Sequence, residues 1–265
     1  FFLEKGNLEM SIFDKVKQTQ KKKARRTLLY GVQGIGKSSW AAKWPNPVFI
    51  NIEDGLSDLA VMSFPKCETL LDAWQPIIEM GGTEAQNHSF ETLVIDSVDW
   101  LEKLIYKEVL KDAGGNFETI ADIPYGKGYD KATEYFEKLI LFLNNVIENG
   151  INVLLLAHCS IKRFESPEME SYDRYAPKLH VNSKGYGVGS LVQEFCDEVL
   201  FCNFKVYNKT TDEGFNRKRN LAKGTGERII YTTERPSHLA KNRIGLPEEI
   251  AMSKDGFEYG EFING

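Results

Sequence analysis

No stretch of this 265-residue chain approaches the roughly 18 uninterrupted apolar residues that a membrane-crossing helix needs. Cysteine is scarce, and Cys67, Cys159, Cys196 and Cys202 form neither a C-x-x-C pair nor a Cys/His zinc spacing. That pattern argues against a structural zinc site and fits core thiols in a reducing, cytoplasmic setting. Excess positive charge is missing as well: 33 Lys and Arg face 38 Asp and Glu, a net charge of -5. Any contact with nucleic acid must then come from a local basic patch, because the global charge repels phosphate. Internal repeats and low-complexity tracts are lacking. The opening FFLEKGNLEM meets Glu4 and Lys5 too early for a secretory signal, and Met10 begins a more natural start, MSIFDK. Residues 1–9 are therefore set aside from the fold, and 1–20 read as a leader.

What remains, residues 21–265, is the length of one large α/β domain able to bury its own core. TLLYG (27–31) reads as a short buried strand, with a helix over 36–44. PVFINIED (47–54) is a second apolar run that ends on acids, and LLDAWQPIIEM (70–80) has helical spacing with a break or kink expected at Pro76. FETLVIDSVDW (90–100) carries a strand ending in Asp96, followed by a helix over 99–112 and loop-like residues 113–130. Residues 131–149 hold the strongest amphipathic pattern, with Tyr135, Leu139, Phe142, Leu143, Val146 and Ile147 on one face. INVLLLAH (151–158) is the most apolar strand. A long polar loop over 159–190, a helix running into a strand (190–206), RIIYTT (228–233) and an appendage from about 234 to 265 complete the reading. Strands with continuous apolar runs, alternating with helices, predict a mostly parallel sheet covered on both faces.

The chemistry begins at GVQGIGKSS, Gly31 to Ser39: Gly31, Val32, Gln33, Gly34, Ile35, Gly36, Lys37, Ser38 and Ser39. The spacing fits the phosphate loop G-x-x-x-x-G-K-[ST] between a strand and a helix, so the expected ligand is a nucleoside triphosphate, ATP, with Mg²⁺. Backbone N–H groups at the helix start would hold the phosphates, Lys37 would neutralise the β- and γ-phosphates, and the Ser38 hydroxyl would ligate Mg²⁺. Asp96, ending an apolar strand, supplies the acid that a phosphate loop needs for its metal. Its neighbour is Ser97, so the adjacent glutamate of many motor ATPases is absent. Glu53 and Asp54, ending the strand after the loop helix, are the alternative carboxylates for orienting water, with Glu53 the preferred one.

GVQGIGKSS, VFINIEDGL, LVIDSVDWL and NVLLLAH resemble, in order and spacing, the core of RecA-type recombinases. More closely, with YGKGY (125–129) and AKNRIGLPEEI (240–250), residues 20–250 look like the phage-type AAA-domain nucleotide-binding proteins, some of which act in single-strand annealing or recombination beside a single-strand-binding protein. The resemblance implies a RecA-like P-loop fold, a catalytic Glu53 and His158 as γ-phosphate sensor. It further implies a homo-oligomer on single-stranded DNA in a bacterial host's cytoplasm, and cations reaching in from a neighbouring subunit. Lys223, Arg228, Lys241 and Arg243 are the candidates for that trans role. The 159–190 loop interleaves Lys162, Arg163, Arg174, Lys178 and Lys184 with Phe164, Tyr172, Tyr175 and Tyr186, a pattern suited to stacking and backbone contact with single-stranded DNA. Its four acids leave it nearly neutral. KKKARR (21–26) offers a further basic foothold or a solvated lead-in.

Two other functions use the same motifs. A nucleotide-dependent switch or loader would bind a replication or recombination protein and no DNA, which the acidic balance favours. A small-molecule kinase would need an acceptor pocket and lid arginines, for which Arg163 and Arg174 are the candidates.

Overall fold

TLLYG becomes the axis of a ten-stranded sheet, β1 (Arg26–Gly31), with five of its six residues buried. The computed structural model describes residues 24–56, 58–82, 88–115, 117–212 and 218–252, and the side chains of 207–225 are outside that description. The leader 1–20 and residues 253–265 of the expected appendage also lie outside the described residues.

From β1 the chain enters α1 (Lys37–Ala41), β2 (Pro47–Asn51), the short β3 (Met62–Ser63) and α2 (Leu70–Gly81). β4 (Thr92–Asp96), α3 (Val98–Asp112), α4 (Lys127–Glu148) and β5 (Asn152–Phe164) follow. Then come β6 (Tyr172–Pro177), α5 (Val188–Phe195), β7 (Glu198–Asp212), β8 (Lys218–Tyr231), β9 (Lys241–Asn242) and β10 (Glu249–Ala251). The strand order is β10-β8-β7-β1-β5-β4-β2-β3, with β6 on β5 and β9 on β7. From β7 to β3 every neighbouring pair is parallel. β8, β9 and β10 add antiparallel pairings at one margin.

The side-chain alternation of each strand divides the core in two. Leu28, Tyr30, Ile50, Ile95 and Leu155 face a layer formed by α2, α3, α4 and α5. Leu29, Phe49, Val94, Leu154 and Leu200 face α1 and the segments around Leu56 and Met252. Both faces are covered, so the central strands carry unbroken apolar runs. The α/β architecture agrees with the sequence expectation.

Three expectations need correction. α2 runs through Pro76 as one element, because Pro76 sits on the buried face with Ala73, Ile77 and Met80 and a Thr69–Asp72 capping box starts the helix. Burial of that face outweighs the one backbone bond that proline forfeits. α4 begins at Lys127, four residues before its apolar periodicity is visible. The largest departure is the 159–190 loop. β5 continues to Phe164 and turns back as β6, an antiparallel hairpin that pairs Ile161 with Tyr175 and Phe164 with Tyr172. This hairpin is too polar for hydropathy to mark as strand, and it is held by cross-strand pairs instead. Within residues 234–252, β9 pairs with β7 and β10 with β8.

Candidate active site

The phosphate loop leaves β1 at Gly31, where a Cβ would lie 2.2 Å from the backbone oxygen of Cys202 on the adjacent β7. Only glycine allows the two strands to pack so closely. Ile35, fully buried, pins the middle of the loop to the core, while Gln33, Gly34 and Ser39 stay exposed and Val32 partly so. Gly36 turns the chain into α1 with a φ of 102°, a conformation that a side chain would strain. Lys37 is buried, and its Nζ donates to the carbonyls of Gly31 (3.4 Å) and Val32 (3.2 Å), which stations the ammonium over the loop.

Asp96, 7% exposed at the end of β4, accepts a 2.6 Å hydrogen bond at Oδ2 from Ser38 Oγ. Burial pushes its carboxyl pKa up, and the Ser38 bond opposes that rise. The metal pair expected from the sequence is thus brought together across 58 residues. Asn51, in register with Asp96 on the neighbouring parallel strand, has a buried Oδ1 with no partner among the described residues. A hydroxyl, a carboxylate and an unpartnered amide oxygen are the hard donors that suit Mg²⁺ and its water shell. Among the described residues no group of three or more His, Cys, Asp or Glu side chains could hold a metal by itself. A cation here would rest on Ser38, Asp96 and the phosphates of its substrate, as Mg²⁺ commonly does.

Glu53 lies just beyond β2, where the N–H groups of Ile52 and Glu53 both donate to the Asp96 carbonyl, at 2.9 and 3.3 Å. Ser97 Oγ donates to Glu53 Oε2 at 3.2 Å, and His158 Nε2 lies 3.4 Å from Glu53 Oε1. Asp54 turns away with a φ of 43° and pairs with Lys66 at 3.0 Å in solvent. The geometry therefore separates the two carboxylates that the sequence left side by side. Ser97, notable in the sequence only because it is not a glutamate, orients the glutamate that comes from the next strand.

His158 is fixed from behind. Asp99, 3% exposed in the first turn of α3, accepts the His158 backbone N–H at 3.0 Å and faces Nδ1 at 3.0 Å. A carboxylate there fixes the ring so that Nε2 faces Glu53. Burial raises the Asp99 pKa, but the bonds from His158 outweigh it and hold the carboxyl below its ordinary value. Glu102, one turn further along α3, accepts the His180 backbone N–H at 3.0 Å, and burial lifts its pKa to about 7. Sequence reading passed over Asn51, Asp99 and Glu102. The 99/102 spacing, which sets two acids on one helix face, was the signal for the last two.

A model for an AAA-domain family matches residues 23–244. The chain belongs to that AAA-domain family. Among solved structures, the KaiC-like protein PH0186 of the hyperthermophilic archaeon Pyrococcus horikoshii is similar at 15% identity. That match covers 79% of this chain and 78% of the other, with a TM-score of 0.38. Among curated proteins, none matches the chain. Family membership and the P-loop geometry together make this a nucleotide-binding AAA domain of the P-loop class.

The AAA domain deploys its other cations in ways the sequence did not show. Lys162 Nζ donates to the Leu179 carbonyl at 2.6 Å, and burial lowers its pKa. Arg163 pairs with Asp173 at 3.5 Å, while Arg174 pairs with Glu234 at 2.6 Å and lies 3.9 Å over the Phe164 ring. Lys178 and Lys184 are exposed. Of the trans candidates, Lys241 Nζ donates to the Gln193 carbonyl at 2.7 Å near the end of α5, and Arg243 faces Asp197 at 3.4 Å. Arg228 lies against Gly36 of its own chain, and the Lys223 side chain is outside the described set. In the basic run, Arg25 and Arg26 are tied to Glu198 and Asp197, so the described end of that run anchors β1 to β7.

Proposed function

We propose that this AAA domain is a Mg²⁺-dependent ATP hydrolase. The observation that carries the reading is the convergence, on one sheet edge, of the Ser38–Asp96 pair and of Glu53 held by Ser97 and His158. The loop N–H groups and Lys37 would bind the phosphate chain, and Ser38 and Asp96 would hold the cation. When bound, Mg²⁺ supplies charge neutralisation on the β- and γ-phosphates. Glu53 would orient a water and take its proton as the water oxygen bonds to the γ-phosphorus and the β–γ bridging bond breaks. His158 keeps the Glu53 carboxylate aimed and holds the backbone of the following segment, since the Lys178 N–H donates to the His158 carbonyl at 2.8 Å.

We further propose single-stranded DNA as the effector, in annealing or recombination, with a homo-oligomer as the working form and a single-strand-binding protein as neighbour; that last link would couple the site to the DNA-contacting segment. Exposed Lys178, Lys184 and Tyr186 lie on the segment tied to His158. A specific observation favours a second reading, a nucleotide-dependent switch or loader with a protein partner. Lys162, Arg163 and Arg174 already have partners within the chain, and the β5–β6 hairpin exposes Ile161. ATP turnover with and without single-stranded DNA, on wild type and Lys37→Ala, tests the proposal. DNA stimulation that Lys37→Ala abolishes supports it. Turnover indifferent to DNA, with no DNA binding at low salt, selects the second reading, and absence of turnover sinks the hydrolase.

A further inference from the structure

Arg228 belongs to β8, which is separated from β1 by β7. Its backbone carbonyl accepts the Met252 N–H at 2.8 Å, which binds the strand to the segment just after β10. The side chain is half-buried, and its Nη1 lies 2.9 Å from where a Cβ on Gly36 would stand. Among the described residues, no carboxylate comes within ion-pair distance of this guanidinium, whereas Arg25, Arg26, Arg163, Arg174, Arg235 and Arg243 each have one. A cation partly withdrawn from water without a counter-charge is costly, and the cost falls when an anion arrives. Gly36 is the residue immediately before Lys37 in the anion-binding loop, so the anion expected at this place is phosphate.

The direction of approach narrows the assignment. Glu53, Asp96 and His158 all lie on β1's β5 side or beyond, just after β2, at the end of β4 and on β5, whereas Arg228 comes from the β7–β8 side. The guanidinium therefore reaches the phosphate loop from the flank opposite Glu53 and Asp96. Building on the nucleotide-binding reading of the loop, we infer that Arg228 is a cation supplied in cis, by each chain to its own phosphate cradle, and that it holds the α/β-diphosphate shared by ATP and ADP. This differs from a finger reaching a neighbour's γ-phosphate, which would accelerate hydrolysis and leave ADP affinity alone.

The test is equilibrium titration of the full chain with a fluorescent ATP analogue and a fluorescent ADP analogue at fixed Mg²⁺, with folding checked by circular dichroism. Arg228→Gln should raise Kd for both nucleotides by similar factors, about 10–100-fold, the range for a lost charge-assisted hydrogen bond. Arg228→Lys should recover part of the loss, which a merely structural role in β8 would not distinguish from Gln. Unchanged ADP affinity with weakened ATP affinity would move Arg228 to the γ-phosphate and overturn the assignment. So would normal affinity for both nucleotides with lost turnover that returns on mixing Arg228→Gln with Lys37→Ala chains, because that complementation requires action in trans. If wild type binds neither nucleotide, the phosphate-loop reading itself fails, and Arg228 fails with it.

Discussion

Replacing Asp99 with Asn should unlock His158 and expose how much of the site rests on one buried carboxylate. Asp99 makes two contacts, each 3.0 Å, to the N–H and Nδ1 of His158, and it is 3% exposed. Asn keeps an acceptor for the N–H but loses the charge that faces Nδ1, and a hydrogen bond to a charged group contributes about 1.5–3 kcal/mol. We expect Asp99→Asn to lower stability by about 2 kcal/mol at neutral pH, as a shift in urea midpoint with an unchanged slope. The pH dependence gives a second handle. Asp99 has its folded-state pKa depressed, so its contribution is complete above the unfolded value of about 3.9 and is lost as pH falls through the folded one. The gap between wild type and Asp99→Asn should therefore close in acid. Turnover should fall while ATP affinity holds, because the residue positions His158 and touches no phosphate-loop group. A gap under about 0.5 kcal/mol at neutral pH, the size of an ordinary surface substitution, would refute the reasoning. A gap that persists unchanged in acid would do the same.

Glu102 has the opposite sign. Its carboxyl is raised to about 7 by burial, so wild type loses stability as pH climbs from the unfolded value near 4.5 through the folded one. Glu102→Gln should gain on wild type by roughly 3 kcal/mol across that window in urea titrations, and a pH-independent difference would count against a buried charge. Gly31→Ala puts a Cβ 2.2 Å from the Cys202 carbonyl oxygen, a clash with backbone that no rotamer relieves. It should cost about 3 kcal/mol, the upper end of the overpacking range, in a thermal or urea melt, and a stability near wild type would show that β1 and β7 can part.

The sequence spoke most clearly where one residue type has few uses. GVQGIGKSS was legible because glycines, lysine and serine at that spacing have one shared purpose, and TLVID because an apolar run ending on Asp96 marks a strand end. Glu53 could be preferred to Asp54 but not separated from it, since the difference lies in the backbone turn at Asp54 and its pairing with Lys66. Cross-chain partnerships were out of reach. Ser97 with Glu53, Asp99 with His158 and Arg228 with Gly36 join residues 44, 59 and nearly 200 positions apart. The β5–β6 hairpin was missed for a different reason: its strands face solvent on much of their surface, so apolar periodicity, the main strand signal, is weak there. Basic residues within it suggested free charge, whereas burial and acidic neighbours had already claimed Lys162, Arg163 and Arg174.

The hydrolytic assignment rests on Glu53, and single-turnover phosphate release by Glu53→Gln tests it most directly. The account predicts ATP binding close to wild type and phosphate release slowed by about 10²–10⁴-fold, the usual contribution of a positioned general base. Release at the wild-type rate from a variant that binds ATP normally would contradict it.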